Sequence, residues 1–233
     1  MKLIITICAL VIFHSTAFAI GNDPNAILEE VKSNYNKVHD YQAQVKIKLD
    51  MDFLKVPMSE AVLYFKQPDK MRIKSDGFAM LPRKGFNFFP GALLRGNYTA
   101  IFEQDKTFDK SECYVIKIIP SGEMQDVVLT TLWIDKAGLM IRRVESVTKA
   151  SGVFSIDLYY DKSFVKQYPL PASIKFEFDI SKGNNQFGLK DDGNSAPEKK
   201  KKFSNGTAYV YFSDYKVNAG VDDTIFLEKK TTK

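Results

Sequence analysis

The sequence has 233 residues, a formal net charge of +5 and a hydrophobic content of 45%. This modest positive charge excludes the concentrated basic surface that is typical of nucleic-acid-binding proteins. The 18 Phe and 11 Tyr residues provide apolar surface for a large core, and a chain of this length is expected to form one domain.

Residues 1–19 have the layout of a secretory signal peptide. Lys2 supplies the positive charge, residues 3–13 form a short apolar run, and Ala-Phe-Ala at 17–19 precedes the expected cleavage. The apolar run is too short to span a membrane. The next residue is Ile20 rather than a cysteine that could carry a lipid, so we expect a soluble, exported protein.

Removal of the signal peptide would leave one cysteine, Cys113, and one histidine, His39. An intramolecular disulfide and a zinc site with several His and Cys ligands are then excluded. The sequence has no phosphate-binding loop, dinucleotide fingerprint or nucleophile elbow. We interpret Cys113 as a small buried apolar residue and His39 as a structural or surface residue, and expect neither enzymatic activity nor a cofactor.

The region after the signal peptide has the period of an amphipathic helix. Apolar residues recur at three- and four-residue spacing from Ile27 to Val38. Asp23 or Asn22 can cap this helix, and Pro24 suits its first turn. The apolar stripe predicts that the helix packs on another element.

From residue 41 the apolar period changes to two, which is typical of strands with one buried face. The predicted strands cover residues 41–53, 61–66, 71–75, 114–119, 127–135, 139–148, 153–160, 173–180 and 207–215. Short turns connect most of them. This pattern predicts an antiparallel sheet that is strongly curved or closed into a barrel.

Two segments interrupt the strand pattern. Residues 78–96 are apolar and aromatic but contain prolines and glycines; they form either ordinary core over one end of the barrel or a movable lid over a cavity. Residues 183–206 are polar and predict a flexible loop within one domain. The lysine run at 199–202 favours a solvated loop tip over a membrane-attracted segment.

Four sequence segments point to a known family. Residues 64–72, YFKQPDKMR, are similar to a strand–K-R-P–strand hairpin, and residues 132–143, LWIDKAGLMIRR, to a central L-W-I-D hairpin. Residues 168–171 and 212–218 are similar to the C-terminal half of the same family. In this order, the motifs resemble periplasmic carriers of outer-membrane lipoproteins of the LolA type, over almost the whole chain.

The resemblance implies a mainly β domain over residues 20–233. This domain would be a single antiparallel, incomplete β-barrel with an N-terminal helix and a helical or loop lid. The family's members are periplasmic carriers that bind acyl chains of lipoproteins or other lipids without covalent chemistry. They take cargo from an inner-membrane ABC lipoprotein transporter and pass it to an outer-membrane acceptor.

We therefore expect a monomeric lipid carrier without a nucleic-acid partner. An alternative is a sensor or interaction domain on the same fold, which binds a lipoprotein or lipid but does not transport it. A hydrolase that uses a carboxylate pair is a third, weaker interpretation, because separated carboxylates alone identify no such enzyme.

The candidate residues for the cavity and its lid are apolar residues of the strands and of the 78–96 segment. The sequence leaves open which face of each strand points inward. The set is Val45, Ile47, Leu49, Phe65, Met71, Ile73, Phe86, Phe88, Phe89, Leu93, Leu94, Trp133, Ile141, Phe176 and Phe178. The family's hairpin arginine, which holds the lid closed through hydrogen bonds, falls on Gln67, so an uncharged amide donor occupies the lid-gating position.

Overall fold

The computed structural model describes residues 21–51, 54–55, 57–75, 90–121, 127–149, 152–161, 167–179 and 205–227. The predicted signal peptide and the lysine run at 199–202 lie outside these ranges. The described residues form a helix α1 and eleven strands. Their bounds are α1 Pro24–Asn36, β1 Asp40–Met51, β2 Leu54–Lys55, β3 Ser59–Lys66, β4 Lys70–Lys74, β5 Tyr98–Phe108, β6 Ser111–Pro120, β7 Val127–Asp135, β8 Ile141–Thr148, β9 Gly152–Tyr159, β10 Ser173–Asp179 and β11 Asn205–Val217. Two 3₁₀ turns lie at Pro90–Leu94 and Asp223–Phe226.

Helix α1 begins where the sequence predicts it. Asp23 is the N-cap, and its Oδ1 accepts a hydrogen bond from the backbone N–H of Asn25 at 2.9 Å. Pro24 occupies the first turn, where a helix leaves backbone N–H groups unpaired, so its missing N–H has little cost. The apolar stripe of the helix is fully buried, which confirms that α1 packs on another element.

The strands form one antiparallel sheet that does not close into a barrel. Their order is β4-β3-β1-β11-β10-β9-β8-β7-β6-β5, and β2 pairs with β1. The long pairing between β1 and β11 runs from Tyr41 opposite Val217 to Met51 opposite Gly206. It joins the two ends of the described chain in the middle of the sheet. The fold class implied by the sequence, a mainly β protein with an incomplete antiparallel barrel, is confirmed.

Strand β5 is an edge strand that the sequence prediction omitted, as it did the short β2. In the first half of β5, the half-buried residues Tyr98, Ala100 and Phe102 alternate with exposed ones. Residues 103–107 are all exposed. A register shift against β6 between Phe102 and Gln104 also interrupts the pattern. Half of this strand therefore lacks the apolar period that identifies strands in a sequence.

The predicted bounds of most strands differ from the structure by one to three residues, and for β8 and β11 the reason is visible. β8 starts at Ile141 rather than at Leu139, because Leu139 has a φ of 49°, a left-handed conformation that ends the preceding turn. β11 starts at Asn205, so the last two residues of the predicted 183–206 loop belong to a strand. Gly206 pairs with Phe178 of β10 and with Met51 of β1.

Burial along β1 identifies which face of the sheet points inward. Tyr41, Ala43, Val45, Ile47 and Leu49 are 0–6% exposed. Of the residues between them, Gln42 is half-buried and Gln44, Lys46 and Lys48 are exposed. The buried residues of β1 belong to one apolar cluster that also contains residues of α1, β3 and β6 to β11. Apolar residues of the edge strands β4 and β5 pack against this cluster. We call this side of the sheet the inner face and the opposite side the outer face.

Candidate functional site

The inner face carries a continuous apolar band. Residues that are paired strand to strand form a row across eight strands, from β5 through β6, β7, β8, β9, β10 and β11 to β1. The row consists of Phe102, Ile116, Leu132, Val144, Ile156, Phe176, Ala208 and Leu49. Phe102 is half-buried and the others are buried. No charged residue interrupts the row, so the inner face is apolar across these eight strands.

A pair of hydroxyl groups lies beside this band. Thr130 of β7 and Ser146 of β8 face each other across the strands, with 2.9 Å between Thr130 Oγ1 and Ser146 Oγ. Both residues are buried, and each hydroxyl satisfies the other in an apolar environment. Ile118 and Phe154 flank the pair in the same row.

Most of the residues predicted to line the cavity lie on this inner face or on the segment that covers it. Seven of them are buried in the apolar cluster, and three pack against it while half-exposed. The buried ones are Val45, Ile47, Leu49, Phe65, Leu94, Ile141 and Phe176, and the half-exposed ones are Met71, Ile73 and Leu93. Phe86, Phe88 and Phe89 lie outside the described residues, as does the side chain of Phe178. The lipid-binding role of the set stays a prediction.

Trp133 is placed differently from the prediction. Its neighbours Leu132 and Ile134 belong to the inner-face cluster, and strand alternation therefore sends Trp133 to the outer face. There it packs with Cys113 in a separate small cluster. The Arg143 guanidinium lies 5.8 Å from the centre of its ring. Trp133 is thereby removed from the candidate cavity residues.

Helix α1 and the turn at Pro90–Leu94 cover the inner face. This turn packs against α1, and Leu94 is 2% exposed within the apolar cluster. Ile27, Leu28 and Val31 of the helix are 0% exposed in the same cluster. These helix residues were not among the predicted site residues, although their three- and four-residue spacing had indicated a packed helix.

Two tyrosines attach α1 to the start of β8. Tyr35 of the helix accepts a hydrogen bond from the Ile141 backbone N–H at 3.3 Å, and Tyr160 donates its hydroxyl to the Ile141 carbonyl at 2.7 Å. The two hydroxyl oxygens are 3.1 Å apart. Because the proton of Tyr160 is engaged, Tyr35 donates to Tyr160. Burial raises the pKa of Tyr35 to about 12, so this hydroxyl stays protonated.

Gln67, at the predicted gating position, contacts the C-terminal end of α1. Its side-chain Nε2 donates to the carbonyl oxygens of Val38 at 2.8 Å and Asn36 at 3.5 Å. Asn218 Nδ2 donates to the Lys37 carbonyl at 2.8 Å. The last carbonyls of a helix have no partner within the helix, and these two side chains bond to carbonyls at and just beyond the last residue of α1.

Cys113 is buried in the fold, and His39 lies on the surface just before β1. Cys113 is 0% exposed, which confirms it as a small buried apolar residue, and burial raises its pKa to about 11. His39 is exposed, and its backbone N–H donates to Asn218 Oδ1 at 2.7 Å. Within the described ranges, no group of three or more His, Cys, Asp or Glu residues is placed to hold a metal ion.

No helix among the described residues has the length and hydropathy that crossing a membrane would need.

No family model and no curated protein matches this sequence. Solved structures do match. An outer membrane lipoprotein-sorting protein domain from Vibrio parahaemolyticus has a TM-score of 0.57 and 13% identity, over 86% of this chain and 94% of that chain. A DUF1329 family protein from Desulfovibrio piger has a TM-score of 0.57 and 10% identity, over 88% and 97% of the two chains.

A LolA superfamily protein from Nitrosomonas europaea has a TM-score of 0.52 and 12% identity, over 88% of this chain and 97% of that chain. Identities this low establish the fold alone. The chain has the LolA-like fold, in a divergent form, as the sequence motifs had implied.

Proposed function

We propose that this protein is a non-enzymatic periplasmic carrier that binds acyl chains of lipoproteins or other lipids on its inner face. The observation that carries the proposal is the uninterrupted apolar row across eight strands, from Phe102 to Leu49. A helix and a short turn, rather than a second sheet, cover this row. A single helix is a cover that can move without separating any pair of strands.

The physical need for such a carrier is large. Exposing an acyl chain with about 15 methylene groups to water raises the free energy by roughly 12 kcal/mol, at about 0.8 kcal/mol per methylene. A lipid with several chains therefore crosses an aqueous compartment only inside an apolar site. The carrier must also release its cargo, which favours a flexible lining over a rigid one.

The contacts of α1 suggest how the site opens. The C-terminal end of the helix is held by Tyr35, and the residues just after it are held by Gln67 and Asn218. The residues closer to its N-terminus, Ile27 and Leu28, make apolar contacts in the cluster. Acyl chains can replace such contacts without leaving buried polar groups unpaired. In the proposed mechanism, α1 therefore swings about its C-terminal end when cargo enters.

The proposal extends to the cellular route. The protein would act as a single-domain monomer over residues 20–233, after removal of a signal peptide. It would receive cargo from an inner-membrane ABC lipoprotein transporter and deliver it to an outer-membrane acceptor. The sequence motifs at 64–72 and 132–143 support this route, as does the similarity to a domain described as outer membrane lipoprotein-sorting.

Two isoleucines on the two edge strands provide a matched test. Ile73 of β4 packs against the inner-face cluster, whereas Ile101 of β5 points outward and is 45% exposed. In a titration with a fluorescent fatty acid, Ile73→Gln should weaken binding by about tenfold, because it places an amide in the apolar site. Ile101→Gln should bind as the native protein does. Equal affinities for all three proteins would contradict an inner-face site.

A transfer assay between two vesicle populations distinguishes a carrier from a sensor domain. A carrier increases the rate at which a labelled lipid moves from donor to acceptor vesicles, in proportion to protein concentration. A sensor binds the same lipid without increasing that rate. Binding without transfer would therefore retain the inner-face site but reject the carrier function.

A further inference from the structure

A cavity of about 880 Å³ that is lined by both charged and apolar residues lies beside the C-terminal half of α1. The helix contributes Asn34 and Lys37 to its wall. The turn between β5 and β6 contributes Asp109 and Lys110, and the turn between β7 and β8 contributes Gly138. Arg142 of β8 and residues of the segment after β9 complete the wall, and the charged part of this lining differs in character from the apolar inner face.

Cationic side chains dominate the charged lining of this cavity. Among the described residues that line it, Lys37, Lys110 and Arg142 are positive and Asp109 and Asp135 are negative. Asp135 Oδ1 already accepts a backbone N–H in its own turn at 2.6 Å. The cavity thus has a positive excess, and one of its two carboxylates is engaged in holding a turn.

Arg142 has a buried donor without an acceptor. Its side chain is 12% exposed, and its Nε is buried with no hydrogen-bond partner among the described residues. Its Nη2 lies 3.3 Å from Asp109 Oδ2, but the Asp109 side chain is 50% exposed, so this ion pair is weak and readily exchanged. A buried N–H that lacks an acceptor is unfavourable unless a ligand supplies one.

The turn that carries two of these residues has an unusual backbone. Asp109 and Lys110 have φ angles of 45° and 65°, the left-handed region that favours glycine. A two-residue hairpin loop of this type requires this conformation at both central residues, so the connection from β5 to β6 explains it. Here the turn places a lysine at the rim of the cavity, on the same wall as the ion pair of Arg142.

We propose that this cavity binds a phosphate ester. Arg142 donates to the phosphate through Nε and Nη2, a pair of donors that matches two phosphate oxygens. Lys37 and Lys110 add positive charge, and Asp109 turns to solvent when the phosphate replaces it. Neither the fold similarity nor the apolar inner face assigns a ligand to this place.

The cavity and the inner face share a wall. Tyr160 lines the cavity and donates its hydroxyl to the carbonyl of Ile141, which lies in the inner-face cluster. Asn34 lines the cavity, and the next residue, Tyr35, is buried in that cluster. A phospholipid could therefore place its head group in the cavity and its chains on the inner face. This part of the inference rests on the proposed function, whereas binding of a free phosphate ester does not.

Calorimetric titration with three ligands tests the proposal on the full exported chain. The ligands are sn-glycerol 3-phosphate, dihexanoyl phosphatidic acid and dihexanoylglycerol, which supply the phosphate alone, both parts, and the chains alone. The variants are Arg142→Gln and Lys110→Asn. Lys110→Asn leaves the fold undisturbed, because asparagine tolerates the left-handed backbone. The control is Lys46→Gln on the outer face of β1, a strand that contributes nothing to the described lining of the cavity.

The site predicts that glycerol phosphate binds and that Arg142→Gln weakens this binding by about tenfold. Lys110→Asn should also weaken it, and Lys46→Gln should leave it unchanged. This result would support the site. If glycerol phosphate does not bind, tighter binding of phosphatidic acid than of dihexanoylglycerol also supports the site, provided that Lys110→Asn removes the difference. That result identifies a lipid as the source of the phosphate. No binding of glycerol phosphate together with equal affinity for the other two ligands would overturn it. Binding of glycerol phosphate without any binding of dihexanoylglycerol would retain this site and reject the acyl-binding function.

Discussion

Gln67 donates its side-chain amide to the carbonyl oxygen of Val38 across 2.8 Å. This bond joins the turn between β3 and β4 to the end of the helix that covers the inner face. The Gln67 backbone N–H adds a second bond, to the His39 carbonyl at 2.8 Å. An uncharged amide therefore attaches the cover to the sheet at the position that the sequence resemblance predicts for lid gating.

Replacing Gln67 by Leu removes the side-chain donor and leaves the Val38 carbonyl, just beyond the end of α1, without this partner. We expect the free energy of unfolding to fall by about 1 kcal/mol, measured by urea denaturation. Gln67→Arg should keep the native stability, because its guanidinium can donate to the same carbonyls and suits the negative end of the helix. Gln44→Leu, on the exposed side of β1, is the control. A loss in this control as large as in Gln67→Leu would contradict the role of the bond.

Tyr35→Phe should destabilise the protein by roughly 1–3 kcal/mol, because it leaves the buried Ile141 N–H without an acceptor. The measurement is again the free energy of unfolding in urea. Tyr211→Phe serves as the comparison, since Tyr211 is 44% exposed and its hydroxyl can bond to water. Equal stabilities of the two variants would show that the tyrosine contact does not hold α1 to β8.

Asp223 should titrate far below an ordinary aspartate. Lys66 Nζ lies 2.9 Å from its Oδ2 and Lys70 Nζ 2.7 Å from its Oδ1, and they lower its pKa from 3.8 to about 2. Because the folded pKa is below the unfolded one, Asp223 favours folding above pH 3.8, and this contribution is lost as the pH falls towards 2.

The carboxyl chemical shift of Asp223, followed by NMR, measures this pKa directly. Lys70→Met should raise it, because one of the two ammonium groups is removed. Asp222 is an internal control, since hydrogen bonds from Thr224 are the main cause of its own lowered pKa. A native midpoint near 3.8 for Asp223 would show that the lysines do not hold the 3₁₀ turn at Asp223–Phe226 to the β3–β4 hairpin.

The helix and most strands could be predicted because their apolar periods are clear. In β1, lysines and glutamines alternate with apolar residues, so both the strand and its two faces are visible in the sequence. β5 was missed because its second half is polar and exposed. The pairing of Tyr41 with Val217 could not be predicted from local patterns, because it depends on how distant segments pack.

The candidate site was predicted only in part, for related reasons. Trp133 lies between Leu132 and Ile134, and three consecutive apolar residues give no indication of which one points inward. The face of β7 is decided by its neighbours, since Leu132 pairs with Ile116 and Val144 of the inner face. The cavity lined by Lys37 and Arg142 was not predicted, because these residues are distant in sequence and form no motif.

Paramagnetic NMR with a spin-labelled fatty acid tests the central claim most directly, because it reports where the chain lies. With methyl-labelled protein, bound ligand should attenuate the resonances of inner-face residues such as Ile47, Leu49 and Ile73. The methyl groups of Ile101 and Val153, which are exposed at 45% and 57%, should keep their intensity. Attenuation limited to these exposed residues, or no attenuation at any methyl, would contradict an acyl-binding inner face.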